Sequence, residues 1–155
     1  MKILVFSDTH GAMEPMTSII AQEQPDAVLH LGDHIRDAEA LRVQFPALPI
    51  IAVPGNCDPG SREPDTRIQA YAGVTIFMTH GHRYWVKQSP LRAEYAAREA
   101  GAQVLLFGHT HQPLCEQKDG LWICNPGACQ PRSGGNYAVL ELSDGAASCR
   151  LAEAD

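Results

Sequence analysis

Residues 2–11 read Lys2-Ile3-Leu4-Val5-Phe6-Ser7-Asp8-Thr9-His10-Gly11. The apolar run shows no alternation, which predicts a strand over Lys2–Ser7 buried on both faces. It ends in an Asp-x-His beside a glycine, so two residue types that bind metal sit where a buried strand turns. The rest of the chain repeats this grammar. After Gly11, Met13, Met16, Ile19 and Ile20 recur at helical spacing until Pro25. Ala27–Leu31 reads as a second buried strand, stopped by Gly32-Asp33. Ile35, Ala38, Leu41 and Phe45 then space a second helix, closed by Pro46. Pro49–Val53 is a third strand, followed by Gly55-Asn56-Cys57-Asp58.

Strand, helix, strand, helix, strand in this order predicts right-handed crossovers and a largely parallel sheet. Beyond a loop at Asp58–Thr66, Arg67–Tyr71 and Val74–Thr79 flank Ala72-Gly73 as a hairpin, and His80-Gly81-His82 follows. Ser89-Pro90 predicts a helix N-cap with proline at the first helical position, and Gly101 a C-cap. Val104–Phe107 is another short buried strand, and Gly108-His109-Thr110-His111 follows it. From Pro113 the pattern turns antiparallel, with turn signals at Lys118-Asp119-Gly120 and Ser143-Asp144-Gly145. No linker divides the chain, so residues 1–155 are expected to form one α/β domain.

Five apolar strands thus each end in Asp, Asn or His beside a glycine. In an α/β sheet the ligand site lies outside the carboxyl ends of the strands, so the five loops should converge. Their glycines allow sharp turns and close approach. Carboxylate, amide and imidazole ligands without thiolates suit Mn, Fe, Zn or Co better than Ca or Cu(I). Roughly seven ligand groups exceed what one open catalytic site needs. They suit two ions ~3.5–4 Å apart that share a carboxylate, a clamp for in-line attack on phosphorus.

The segments Asp8-x-His10, Gly32-Asp33, Gly55-Asn56-x-Asp58, His80 and Gly108-His109-x-His111 resemble, in this order, the calcineurin-like metallophosphoesterases. Within them the chain is most similar to the small YfcE-like phosphodiesterase branch, over nearly its whole length. The resemblance implies a β-sandwich flanked by helices, in αββα layers. It implies that Asp8, His10 and His111 bind one metal ion, that Asn56, His80 and His109 bind a second, and that Asp33 bridges them. It further implies hydrolysis of a small phosphodiester by a metal-activated hydroxide. Two divalent ions are expected, Mn²⁺ first, with Ni²⁺, Fe²⁺, Co²⁺ or Zn²⁺ as the other candidates.

One position departs from the wider superfamily. Where many members carry a histidine after the asparagine, this chain has Cys57, as in the small branch; Asp58, the usual partner of that histidine, is present. A thiol is a poorer proton donor than imidazolium. The catalytic candidates are therefore Asn56, Cys57, Asp58 and His82, with the identity of the general acid open. His30, inside a strand, is expected to be a core histidine. His34 fits either support of Asp33 or plain exposure, and Arg132 either phosphate contact or solvent. Trp85 and Trp122 are expected to pack, and Cys115, Cys124, Cys129 and Cys149 to fill apolar space.

A formal charge of −6, from 18 acidic and 12 basic residues, disfavours stable nucleic-acid binding. Five cysteines without CxxC spacing disfavour a disulfide framework or a cysteine-type zinc site. No apolar stretch suits a signal peptide or a membrane span, so a cytoplasmic location is expected, with homo-oligomers allowed. Two other functions fit the motifs: a non-catalytic protein-binding scaffold of the same fold, and a phosphomonoesterase.

Overall fold

The computed structural model describes residues 1–154. Strands β1 (Lys2–Phe6), β2 (Ala27–His30) and β3 (Ile50–Ala52) alternate with helices α1 (Met13–Glu23) and α2 (Arg36–Gln44). The hairpin β4 (Thr66–Tyr71) and β5 (Val74–Thr79) leads to α3 (Leu91–Glu99) and β6 (Val104–Leu106). Two further hairpins close the chain, β7 (Leu114–Lys118) with β8 (Leu121–Asn125), and β9 (Asn136–Ser143) with β10 (Ala146–Glu153).

These strands form two mixed sheets, ordered β10-β9-β1-β2-β3 and β4-β5-β6-β8-β7. The parallel run expected of the first three strands is present, within a mixed sheet. Only β1-β2-β3 and β5-β6-β8 run parallel, and antiparallel strands complete each sheet. The reason is local. Ala72-Gly73, Asp119-Gly120 and Asp144-Gly145 all have positive φ at both turn positions, which matches two-residue hairpins to strand twist and reverses the chain at once.

Alternation along β1 shows why its sequence is apolar throughout. Ile3 and Val5 join Leu29, Ile76, Met78, Leu106 and Leu140 in the core between the sheets. Leu4 and Phe6 point the other way, onto Met16, Ile19 and Ile20 of α1 and Ala38 and Leu41 of α2. On the far side, Phe77, Leu105 and Ile123 pack against Ala93 and Ala97 of α3. The layers run helix, sheet, sheet, helix, as the αββα expectation has it. Full burial of one such leucine or isoleucine stabilises the fold by about 1.5–3 kcal/mol.

Two local expectations shift. Pro90, not Ser89, occupies the N-cap of α3, although the Ser89 hydroxyl still accepts the Leu91 N–H at 3.2 Å. Trp85 is 56% exposed, with the Arg92 guanidinium 5.8 Å from its ring centroid, so it does not pack inside. Trp122 does pack; it lies against the inter-sheet core and its indole N–H donates to the Ala147 carbonyl at 2.9 Å. Among the described residues no helix is long and apolar enough to cross a membrane.

Candidate metal centre

The loops after β1, β2, β3, β5 and β6 meet at one end of the sandwich. Gly32 carbonyl accepts the Asp8 N–H at 2.9 Å within the first sheet, and His80 carbonyl accepts the Gly108 N–H at 2.9 Å within the second. The two sheets join through Asp8, whose Oδ2 accepts the Ser7 hydroxyl at 2.5 Å and the His109 N–H at 3.1 Å. Small residues permit this approach. A Cβ on Gly108 would lie 2.0 Å from Ser7 Oγ, and one on Gly55 would lie 2.1 Å from Asp33 Oδ1.

Each of the two aspartates is anchored through one oxygen and presents the other. Asp33 Oδ1 accepts the Cys57 N–H at 2.9 Å. Its Oδ2 faces His80 Nε2 at 3.3 Å and His10 Nε2 at 4.0 Å. Asp8 Oδ1 is buried without a hydrogen bond, 3.1 Å from His111 Nε2 and 3.9 Å from His80 Nε2. A buried carboxylate oxygen left in this way is costly unless a cation meets it.

Ligand atoms of Asp8, His10, Asp33 and His111 all lie within 4.8 Å of one another, and so do those of Asp33, His80 and His109. Asp33 belongs to both groups. Asn56 Oδ1 stands 3.1 Å from His80 Nε2, at the edge of the second group. The donor set, two carboxylates, an amide oxygen and four imidazoles, fits divalent ions of the first transition series.

The tautomer of His80 also fits. Its Nδ1 lies 2.7 Å from the Leu31 carbonyl, which can only accept, so Nδ1 carries the proton and Nε2 is the atom offered to a metal. Burial works to lower the His80 pKa, but the hydrogen bond to Asp33 and the charges of Asp8 and Asp33 raise it. Burial likewise opposes ionisation of Asp33, yet the hydrogen bond and charge of His80 outweigh it and its pKa falls. Burial and the charge of His80 lower His109.

Backbone conformation marks the same residues. Asp8, His10, Asp33, His109 and His111 all have φ between 44 and 68°. A left-handed backbone costs a side-chain-bearing residue roughly 1–2 kcal/mol, and such strain concentrates at functional sites.

The four catalytic candidates sit differently. Asn56 is beside His80. Cys57 is exposed at the rim, its Sγ 3.6 Å from Asn56 Nδ2, and burial with the charge of Asp33 raises its pKa. Asp58 faces the backbone: Oδ2 accepts the N–H groups of Asp33 and Gly55, and Oδ1 those of His34 and Ile35. His82 lies outside both ligand groups, its ring centroid 5.4 Å from that of His80, with a buried Nδ1 that makes no hydrogen bond. Burial, then the charge of His80, lowers its pKa. Arg132 is exposed on the short helical turn Pro131–Ser133.

Sequence reading missed the supports beneath the loops. Gly32 N–H donates to His30 Nδ1, His30 Nε2 lies 3.0 Å from Thr9 Oγ1, and Thr9 donates to Asp37 Oδ2 at 2.5 Å. His30 is fully buried and held neutral, as a core histidine should be. Asp37 Oδ1 also meets His34 Nδ1 at 2.9 Å, so His34 braces the loop from outside. Asn125 Nδ2 binds the Gly108 carbonyl and Thr110 Oγ1, and Gln130 Nε2 binds the Asp8 carbonyl. Thr9 and Gln130 carry no signal in the sequence, because their partners are distant in it.

Residues 1–145 match the family model of the calcineurin-like phosphoesterase superfamily domain. The chain belongs to that superfamily. It is 35% identical to the "Probable metallophosphoesterase YsnB" of Bacillus subtilis, over 97% of this chain and 90% of that protein. It is 28% identical to the "Phosphodiesterase YfcE" of Escherichia coli K12, over 93% and 88%. A crystal structure of a predicted phosphoesterase from Streptococcus pneumoniae TIGR4 superposes with a TM-score of 0.82, at 26% identity, over 98% and 88%. This calcineurin-like chain is accordingly a metal-dependent phosphoesterase, and the superfamily implies divalent metal ions.

Proposed function

We propose that this phosphoesterase hydrolyses small phosphodiesters at a centre of two divalent ions, with manganese the first candidate. The observation that carries the reading is Asp33, whose carboxylate lies within 4.8 Å of the ring nitrogens of two separate groups of imidazoles. In this reading Asp8, His10 and His111 hold one ion, Asn56, His80 and His109 the other, and Asp33 lies between. Bound there, the ions would supply a nucleophile from water near neutral pH and offset charge that builds on the phosphoryl oxygens.

The chain's own residues have distinct tasks in it. Asp58 positions Asp33 and the start of α2 through four backbone N–H groups. Asn56 would offer its amide oxygen to the second ion, and His82 stands beside His80, with ring centroids 5.4 Å apart. Beside Cys57 opens a cleft of about 810 Å³ with a mixed charged lining, Arg36 and Arg62 among Glu39, Asp58 and Glu63. The preference for diesters over monoesters rests on the likeness to the phosphodiesterase of Escherichia coli K12.

The test is metal removal, reloading with Mn²⁺ or Ni²⁺, and a panel of phosphodiesters and monoesters assayed beside elemental analysis. Two ions per chain with faster diester turnover is the expected result. Faster monoester turnover would reverse the substrate class. Two bound ions without hydrolysis of any ester would favour the scaffold reading.

A further inference from the structure

Cys115, Cys124 and Cys149 come from three strands in two sheets, yet their sulfurs all lie within 4.8 Å of one another. Cys115 and Cys124 are directly opposed across the β7–β8 ladder, and Cys149 reaches them from β10 of the other sheet. The Cys115 thiol donates to the Cys149 carbonyl at 3.4 Å. None of the three belongs to either carboxylate–imidazole group. Cys124 is buried, whereas Cys115 and Cys149 are half-buried. Cys124 and Cys149 belong to the apolar core between the sheets, as the filler expectation has it, and so does Cys129 in the core under the helices, its pKa pushed up to about 12 by burial.

We propose that these three sulfurs form a second metal site, for a thiophilic divalent cation such as Zn²⁺, which ties the β7–β8 hairpin to β10. Three convergent thiolates select soft or borderline ions and exclude the hard cations that a carboxylate cluster would take. A metal–sulfur bond of ~2.3 Å sets the sulfurs roughly 3.8–4.0 Å apart, so the three need approach one another by no more than about 1 Å. Each thiol that binds releases its proton to solvent. Hydrogen bonding between Cys115 and Cys124 lowers the Cys115 pKa and raises that of Cys124. A divalent ion leaves one net negative charge on the trithiolate, a monovalent ion two, and burial disfavours the latter. A tetrahedral ion held by three sulfurs would leave a fourth position for water.

Titration of fully reduced protein with Cd²⁺ tests this, read by the ultraviolet thiolate-to-cadmium band, which imidazole and carboxylate ligands do not produce. One tightly bound Cd²⁺ per chain giving the band is expected. Cys149→Ser and Cys115→Ser should each weaken that binding by on the order of 10–100-fold or more. Mn²⁺-dependent ester hydrolysis should stay within about twofold in both, which also reports that they fold. Cys57→Ser should leave the band unchanged. No band in wild type, a band that survives Cys149→Ser and Cys115→Ser, or one lost in Cys57→Ser would each overturn the site. So would a thiol count showing that Cys115 and Cys124 resist reduction as a disulfide.

Discussion

Asp58 Oδ2 accepts the backbone N–H of Asp33 at 2.9 Å, across 25 residues of chain. The aspartate shared by both ligand groups is therefore held from behind by another aspartate. Asp58→Ala strips the acceptor from four N–H groups at once, so the folded state should lose at least ~2 kcal/mol. Metal affinity should fall by on the order of 10–100-fold, as for other supports of ligands. Denaturant unfolding of the metal-free protein and calorimetric Mn²⁺ titration measure the two effects. Unchanged affinity would mean that Asp33 keeps its place without this brace.

The sharing of Asp33 separates it from every other ligand candidate. Asp33→Asn should lose both ions, whereas His10→Ala should lose one and keep the other. Activity should fall further in the first variant than in the second. Elemental analysis after Mn²⁺ loading decides the matter, and equal stoichiometry in the two variants would remove the bridging role.

His30 predicts a pH dependence of stability. Burial lowers its pKa from 6.5 to about 4, partly offset by the charge of Asp37. Between those values the unfolded chain binds a proton that the folded chain refuses, so stability rises with pH through the window. The contribution is complete above pH 6.5 and is lost as pH falls toward 4, roughly 3 kcal/mol in all. His30→Gln should flatten the stability profile across this window and leave hydrolysis at pH 7.5 largely intact. A variant profile parallel to wild type from pH 4 to 6.5 would refute the assignment.

Cys57 bears on which esters are cleaved. Its pKa is raised, so the thiol is a weak acid at the mouth of the site. A nitrophenolate leaves without a proton, whereas an alkoxide needs one or a metal. Aryl diesters should be good substrates and alkyl diesters poor ones, with a steep dependence of rate on leaving-group pKa. Cys57→His should flatten that dependence if the imidazole reaches the departing oxygen. A leaving-group series on wild type and Cys57→Ser is the measurement. A shallow wild-type slope that steepens in the serine variant would assign proton donation to Cys57 itself.

Local physics made much of this molecule legible in its amino-acid sequence. Runs such as Ile3–Phe6 are apolar at every position because both faces of the strand are buried, one between the sheets and one under helices. Asp8, His10, Asp33, Asn56, His80, His109 and His111 could be picked out because each directly follows such a run. The turns at Ala72-Gly73, Asp119-Gly120 and Asp144-Gly145 could be read for the same reason: a two-residue reversal depends on its own φ angles. Long-range relations were decided only by the tertiary structure. Which strands pair across the two sheets depends on burial summed over the whole chain, so β8 beside β6 and β9 beside β1 leave no local trace. The chain from His30 through Thr9 to Asp37, the grip of Asp58 on four amides and the meeting of Cys115, Cys124 and Cys149 arise likewise. Those side chains come together because packed sheets bring distant residues within hydrogen-bond or ligand reach, and no spacing along the chain encodes that distance.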